Sequence, residues 1–169
     1  MVFIHQSAYT EKILKRFYMD KAHPLSTPMV VLSVEVSKDP FRPQEENEEP
    51  LGLELPYLSA IGTLMYLANA TTPNISFSVN LLARYSYSPT RRHWNEVKHI
   101  LRYLKGTSDT SLFYTNKDSV DLVGHANAVY LSDPHKARSQ TGYLFTYGGT
   151  AISWQSTKQS IIATSSNHA

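Results

Sequence analysis

The spacing of apolar residues changes once along this chain, and that change limits what it can fold into. Up to Leu104 they recur every three or four positions, the period of a helix face; beyond residue 120 they fall in short apolar or alternating runs, the pattern of strands. Three such runs, 120–127, 140–147 and 150–156, read as strands. Gly148-Gly149 between the last two supplies the positive φ angles that a tight antiparallel hairpin needs. The expected fold class is α+β, a helical segment followed by three antiparallel strands.

Four helices are expected. Ser7 reads as the N-cap of the first, with Tyr9, Ile13, Leu14 and Phe17 at helical spacing and Pro24 and Pro28 as its stop. A short strand, Val2-Phe3-Ile4, precedes it. The second spans 57–69 with Tyr57, Ile61, Leu64, Met65 and Ala68 inward, and the third follows Pro73 with Ile75, Val79 and Leu82 inward. Pro89-Thr90 opens the fourth and Gly106 closes it as a left-handed cap. Between the first and second lies a proline- and acid-rich stretch, 37–56, which reads as a solvated linker, with an acidic docking segment as the alternative. The expected division is therefore 1–36, 37–56, 57–116 and 117–169.

The fourth helix is two-faced. At about 100° per residue, Trp94, Val97, Ile100, Leu101 and Leu104 share an arc of roughly 120°, while Arg91, Lys98, Arg102 and Lys105 share one of roughly 60° elsewhere. One face packs. The other is either an ordinary solvated face or a basic stripe that tracks phosphates.

Composition removes several function classes. A hydrophobic fraction of 41% suits a globular chain, and a net charge of +2 permits nucleic-acid binding without requiring it. The absence of cysteine excludes disulfides, thiolate catalysis and cysteine-based zinc sites. The start lacks a basic region followed by a long apolar run, and no window resembles a membrane span, so an intracellular chain without membrane contact is expected. Asn69-Ala70-Thr71 and Asn74-Ile75-Ser76 match glycosylation sequons that would then stay unmodified.

Other candidate sites reduce to ordinary roles. His93 and His99 are six apart, some 120° around a helix, and cannot chelate one ion as an i, i+4 pair would. His125, His135 and His168 have no ligand partners at recognised spacing. Ser165, Ser166 and His168 have no nucleophile elbow around them, and helix capping explains the serines better. Tyr143, Phe145, Tyr147 and Trp154 read as packing residues of a half-buried hairpin, with base stacking as the alternative.

The wording of the last third, GHANAVYLSDPHKARSQTGYLFTYGGTAISWQSTKQSIIATSSNHA, resembles the ribonuclease H region of Ty1/copia-type retrotransposon Pol polyproteins. Upstream, His5-Gln6 with Tyr9, the stretch Tyr57-Leu58-Ser59-Ala60-Ile61-Gly62-Thr63-Leu64-Met65-Tyr66-Leu67, Thr72-Pro73-Asn74-Ile75, and His93-Trp94 through Lys105-Gly106-Thr107 look like the part of that Pol between polymerase palm and ribonuclease H. The family commonly has Asp where Asn74 stands. The resemblance implies a thumb- or connection-like helical segment and then the first three strands of an incomplete ribonuclease H-like domain.

It also implies where catalysis would sit. The family's first catalytic Asp falls at Asn127, and its second carboxylate, a Glu, would follow Ala169. The parent enzymes use Mg²⁺ pairs clamped by carboxylates, which a neutral amide serves poorly. Asp121, six residues before Asn127, stands about 20 Å along the strand, and Asp133, before Pro134, reads as a turn residue, so neither replaces it. No Asp-Asp pair like that of the family's polymerase site occurs. The expectation is a catalytically inactive Pol relic of marginal stability that needs no cofactor, or alternatively a weak binder of RNA/DNA hybrid or other nucleic acid through Arg91, Lys98, Arg102 and Lys105.

Overall fold

The computed structural model describes residues 1–30, 39–52, 54–115, 121–133 and 138–160. They form a mixed α+β chain in two units, Gln6–Thr110 and a second made of Met1–His5 with the residues from Ser111 onward. The sequence division at 36, 56 and 116 differs from this one because β1, at the very start, pairs with a strand beyond residue 110.

The first unit is helical. Helix α1, Ser7–Arg16, begins with Ser7 inside it and not as its cap, because the Gln6 carbonyl already accepts the first helical hydrogen bond from Thr10 N–H at 2.8 Å. Its end is also earlier than the prolines suggested. Tyr18 takes φ of 56°, Tyr18 N–H donates to Lys15 O and Met19 N–H reaches back to Leu14 O at 2.8 Å, the wrap of a Schellman-type stop with tyrosine where glycine is usual.

Helix α2, Tyr57–Ala70, buries Tyr57, Ala60, Ile61, Leu64, Leu67 and Ala68. Met65, expected inward, is 38% exposed. α2 is apolar on nearly every side, so its period alone does not select the packing face, and the seam passes through Leu67. A 3₁₀ turn, Pro73–Ile75, leads into α3, Ser76–Ala83, and Ile75, Val79 and Leu82 are buried as the spacing indicated. Asn74 donates from Nδ2 to the Tyr103 hydroxyl at 3.1 Å.

Helix α4, Arg91–Gly106, completes the core with Trp94, Val97, Ile100, Leu101 and Leu104. Its N-cap is Thr90. The Thr90 N–H donates to His93 Nδ1 at 3.0 Å, so His93 does the work of the Glu or Gln of a capping box. Gly106 is the last helical residue, without the positive φ expected of a left-handed cap. Its smallness serves another purpose: a Cβ there would come within 3.0 Å of Leu25 O and 3.2 Å of Pro24 Cβ.

The stretch read as a solvated linker is folded where the structure describes it. Phe41 and Asp39 are buried, and Asp39 Oδ1 accepts from Phe41 N–H at 3.0 Å. Arg92 pairs with Glu48 and donates to the carbonyls of Pro40, Arg42 and Pro43. Tyr85 hydroxyl bonds Phe41 O, Leu51 N–H bonds Pro89 O, and Pro50 bridges Thr90. The backbone and side-chain groups so satisfied outweigh the repulsion among Glu45, Glu46, Glu48 and Glu49 that suggested a free tether.

In the second unit β1, Val2–Ile4, pairs antiparallel with β2, Leu112–Tyr114, in the register Val2–Tyr114 to Ile4–Leu112. Strands β3, Leu122–Asp133, β4, Arg138–Tyr147, and β5, Thr150–Lys158, form an antiparallel sheet in that order. Gly148 and Gly149 turn the β4–β5 hairpin with φ of 59° and 80°. β3 runs further than the sequence indicated. Asp133 is its last residue, in register with Arg138 after an irregularity. Residues 116–120, 134–137 and 161–169, which include His135, Ser165, Ser166 and His168, lie outside the described residues.

Candidate nucleic-acid interface

α4 carries the basic residues singled out in the sequence. Arg91 is exposed on its first turn, and Lys98, Arg102 and Lys105 are half-buried further along. Seven residues make nearly two turns, so Arg91, Lys98 and Lys105 fall in one line, with Arg102 beside it. None of the four has an ion-pair partner among the described residues. The fifth cation of the helix, Arg92, is spent on the 39–48 segment. That role was missed because its partners lie more than forty residues away, although the acidic run itself was visible.

The chain between α1 and α2 runs along the basic side of α4. Arg102 Nε donates to His23 O at 2.7 Å, Leu25 N–H donates to Arg102 O at 3.2 Å, and His99 Nε2 donates to Thr27 O at 3.0 Å. These bonds hold open a shallow cavity of about 590 Å³ lined by Met19, Ala22, His23, Asn95, Glu96, Lys98, His99 and Arg102. Glu96 is its one carboxylate. It is 9% exposed, its Oε2 has no hydrogen-bond partner, and burial, aided by the charge of Asp39, pushes its carboxyl above the usual carboxylate value. Burial also pulls His99 below its ordinary value, against the hydrogen bond to Thr27.

His93 is no ligand. Its ring is fully buried, stacked on Tyr85 with centroids 4.1 Å apart, and its Nε2 donates to Arg42 O at 2.9 Å while Nδ1 accepts from Thr90. Both nitrogens are used by the neutral ring, and burial pulls its pKa down to about 4.

Asn127 lies on β3, exposed, opposite Gly142, which in turn lies opposite Ser156. The neighbouring ladder rungs are His125–Leu144–Trp154 and Val129–Gln140–Lys158. No carboxylate occupies a rung beside Asn127, and this neutral-to-basic surround does not fit a Mg²⁺ ion, whose ligands are anionic oxygens. Asp121 is displaced along the chain, with its carbonyl accepting from Gly148 N–H at 3.3 Å. Among the described residues no group of three His, Cys, Asp or Glu could hold a metal.

The aromatic residues of the hairpin divide. Tyr143, Phe145 and Tyr147 share one face with Leu122, Gly124 and Ala126, each aromatic 37 to 48% exposed, and Trp154 shares the other with Leu144. Phe145 covers Gly124, where a Cβ would meet its ring at 2.6 Å.

Over 168 residues, 99% of this chain, the sequence is 39% identical to a retrovirus-related Pol polyprotein from transposon TNT 1-94 of Nicotiana tabacum. Nearly the whole chain is thus similar to a segment of a transposon Pol polyprotein. The Pol polyprotein from transposon RE2 of Arabidopsis thaliana is 33% identical over 166 residues, 98% of the chain. The chain spans only 12% and 11% of these two Pol polyproteins. A shorter relative, named secreted RxLR effector protein 161 of Plasmopara viticola, is 39% identical over 112 residues, 66% of the chain and 79% of its own length. No family model matches this chain, and no solved structure matches it significantly. Among its described residues no helix is long and apolar enough to cross a membrane.

Proposed function

We propose that the chain is the part of a copia-type Pol polyprotein that follows the reverse-transcriptase palm and enters the ribonuclease H-like region, acting inside the cell and without nuclease catalysis of its own. Residues 6–110 then correspond to the thumb- or connection-like helices and residues from 111 onward to the first ribonuclease H-like strands. The observation that carries the reading is the identity with Pol segments across nearly the whole chain. The absence of activity rests on Asn127, an exposed amide with no carboxylate on the adjoining rungs. An RNA/DNA-hybrid cleavage assay with Mg²⁺ or Mn²⁺ tests it: no cleavage above background is expected, and cleavage that disappears on Asn127→Ala would overturn it.

A second role is favoured by the unpaired cations of α4. Arg91, Lys98, Arg102 and Lys105 provide a non-catalytic contact surface for an RNA/DNA hybrid or other nucleic acid, with affinity that falls as salt rises. Replacing all four with Gln should remove most of that affinity and flatten its salt dependence; indifference to the change would dismiss the surface.

A further inference from the structure

Of the four cations on the basic side of α4, Arg102 is the one whose side chain is anchored by a hydrogen bond among the described residues. Its Nε donates to His23 O at 2.7 Å, which anchors the guanidinium through its inner nitrogen, and its backbone carbonyl accepts from Leu25 N–H of the same segment. The terminal nitrogens have no hydrogen-bond partner among the described residues. A planar fork held by its inner nitrogen and left open at its outer edge suits two oxygens of one tetrahedral anion.

The surroundings support that use. Lys98 sits one turn back on the same face and also lines the cavity, adding a second cation. Among the described residues the only carboxylate in the lining, Glu96, has its Oε2 buried and is nearly buried itself, so it is turned away from the open side of the cavity. Asn95 at the exposed rim offers an amide, and Met19 and Ala22 give an apolar floor.

The geometry points to a phosphate-binding subsite in this cavity, formed by the Arg102 fork and Lys98, that takes a backbone phosphate of a nucleic-acid strand. This rests on the reading of α4 as a nucleic-acid surface and adds to it a defined place where one phosphate is gripped, in contrast to a diffuse stripe. An acidic peptide would offer carboxylates of the same single charge to these cations, but without the regular backbone repeat of charge that would engage Arg91 and Lys105 at the same time.

Anisotropy of a fluorescein-labelled single-stranded oligothymidylate with the full chain at low salt tests the subsite. Arg102→Lys keeps the charge and loses the fork, and should weaken binding roughly tenfold; Lys12→Arg, at an exposed position on α1 outside the basic face, should leave it unchanged. Because Arg102→Lys also disturbs the bond to His23, Asn95→Glu is the second variant: it changes an exposed residue, should leave the melting temperature in place, and should weaken binding to a similar extent by adding an anion to the rim. Inorganic phosphate should displace the oligonucleotide at lower concentration from the wild-type chain than polyglutamate does. Wild-type affinity in both Arg102→Lys and Asn95→Glu, with a loss in Arg91→Ala/Lys105→Ala, would overturn the subsite and leave the basic face standing. Equal displacement by polyglutamate would also overturn it, and no binding by the wild-type chain would overturn both.

Discussion

The helical and sheet units of this chain solve the burial problem to very different degrees. Every large apolar side chain that is fully buried among the described residues belongs to Gln6–Thr110, from Ile13 in α1 to Leu104 in α4. Among the described residues of the sheet unit the buried ones are Ser139 and Gln140, while Leu122, Val123, Tyr143, Phe145, Tyr147 and Ile152 are all exposed. The difference follows from geometry. A helix can turn its single stripe toward two neighbours, whereas one sheet has two faces and needs a layer for each apolar one. Here both faces of β3–β5 carry large side chains, Phe145 and Tyr143 on one and Leu144 and Trp154 on the other. Stability should therefore be concentrated in the helical unit.

The largest test of that contrast uses equivalent truncations. Leu101→Ala, at a fully buried position on α4, should destabilise the helical unit by about 2–5 kcal/mol, and Phe145→Ala should cost the sheet unit less than about 1 kcal/mol. The two tryptophans fall one in each unit, Trp94 buried in the helical core and Trp154 on β5. Urea titrations followed by fluorescence in Trp154→Phe and Trp94→Phe backgrounds would thus read the units separately. Equal losses from the two truncations would break the comparison.

The same contrast explains what could be read in the sequence. Periodicity found α4 with its inward residues because that helix has a polar side, and it failed on the face of α2, where apolar residues go nearly all the way round. Alternation and Gly148-Gly149 located the β4–β5 hairpin because a turn of that length needs those residues. The cations of α4 were legible as a stripe, since they lie on one helix. The folding of 39–52 was not, because its reasons are distant: a buried Phe41, and Arg92 reaching carbonyls some fifty residues before it. Charge repulsion is a local signal. The clamp is a tertiary one.

Arg92→Ala should show how much the helical unit owes to that clamp. Removing the guanidinium orphans Glu48 and the carbonyls of Pro40, Arg42 and Pro43, for an expected loss of about 1–3 kcal/mol, less than the Leu101 truncation because both partners keep some solvent contact. The pH dependence gives a second reading. The Arg92 hydrogen bond holds Glu48 below its usual value of 4.5, so the stabilisation is complete above that value and fades as pH falls through the depressed one. Arg92→Ala should remove that part of the acid sensitivity, and a melting temperature unchanged at neutral pH would return 39–48 to the status of a loose tether.

The smallest effect expected is a gain, and it sharpens the comparison by asking whether the well-packed unit is also free of internal cost. Glu96 is the exception within its core: nearly buried, with one oxygen unpartnered and Asp39 nearby to disfavour a second charge. Its pKa is higher folded than unfolded, so the folded state holds the proton more tightly. Stability from this group is present below 4.5 and is lost as pH rises from there through the raised value. Glu96→Gln keeps the shape and removes the charge, so the variant should melt higher than the wild type at neutral pH and converge with it near pH 4. His93 works in the opposite sense. With a folded pKa of about 4 against an ordinary 6.5, it makes both chains less stable as pH drops between those values, and it cancels when the two melting curves are subtracted. A difference that stays flat across that range would mean that Glu96 bears no penalty in the folded chain, and that the charge on α4 is as well accommodated inside the helical unit as outside it.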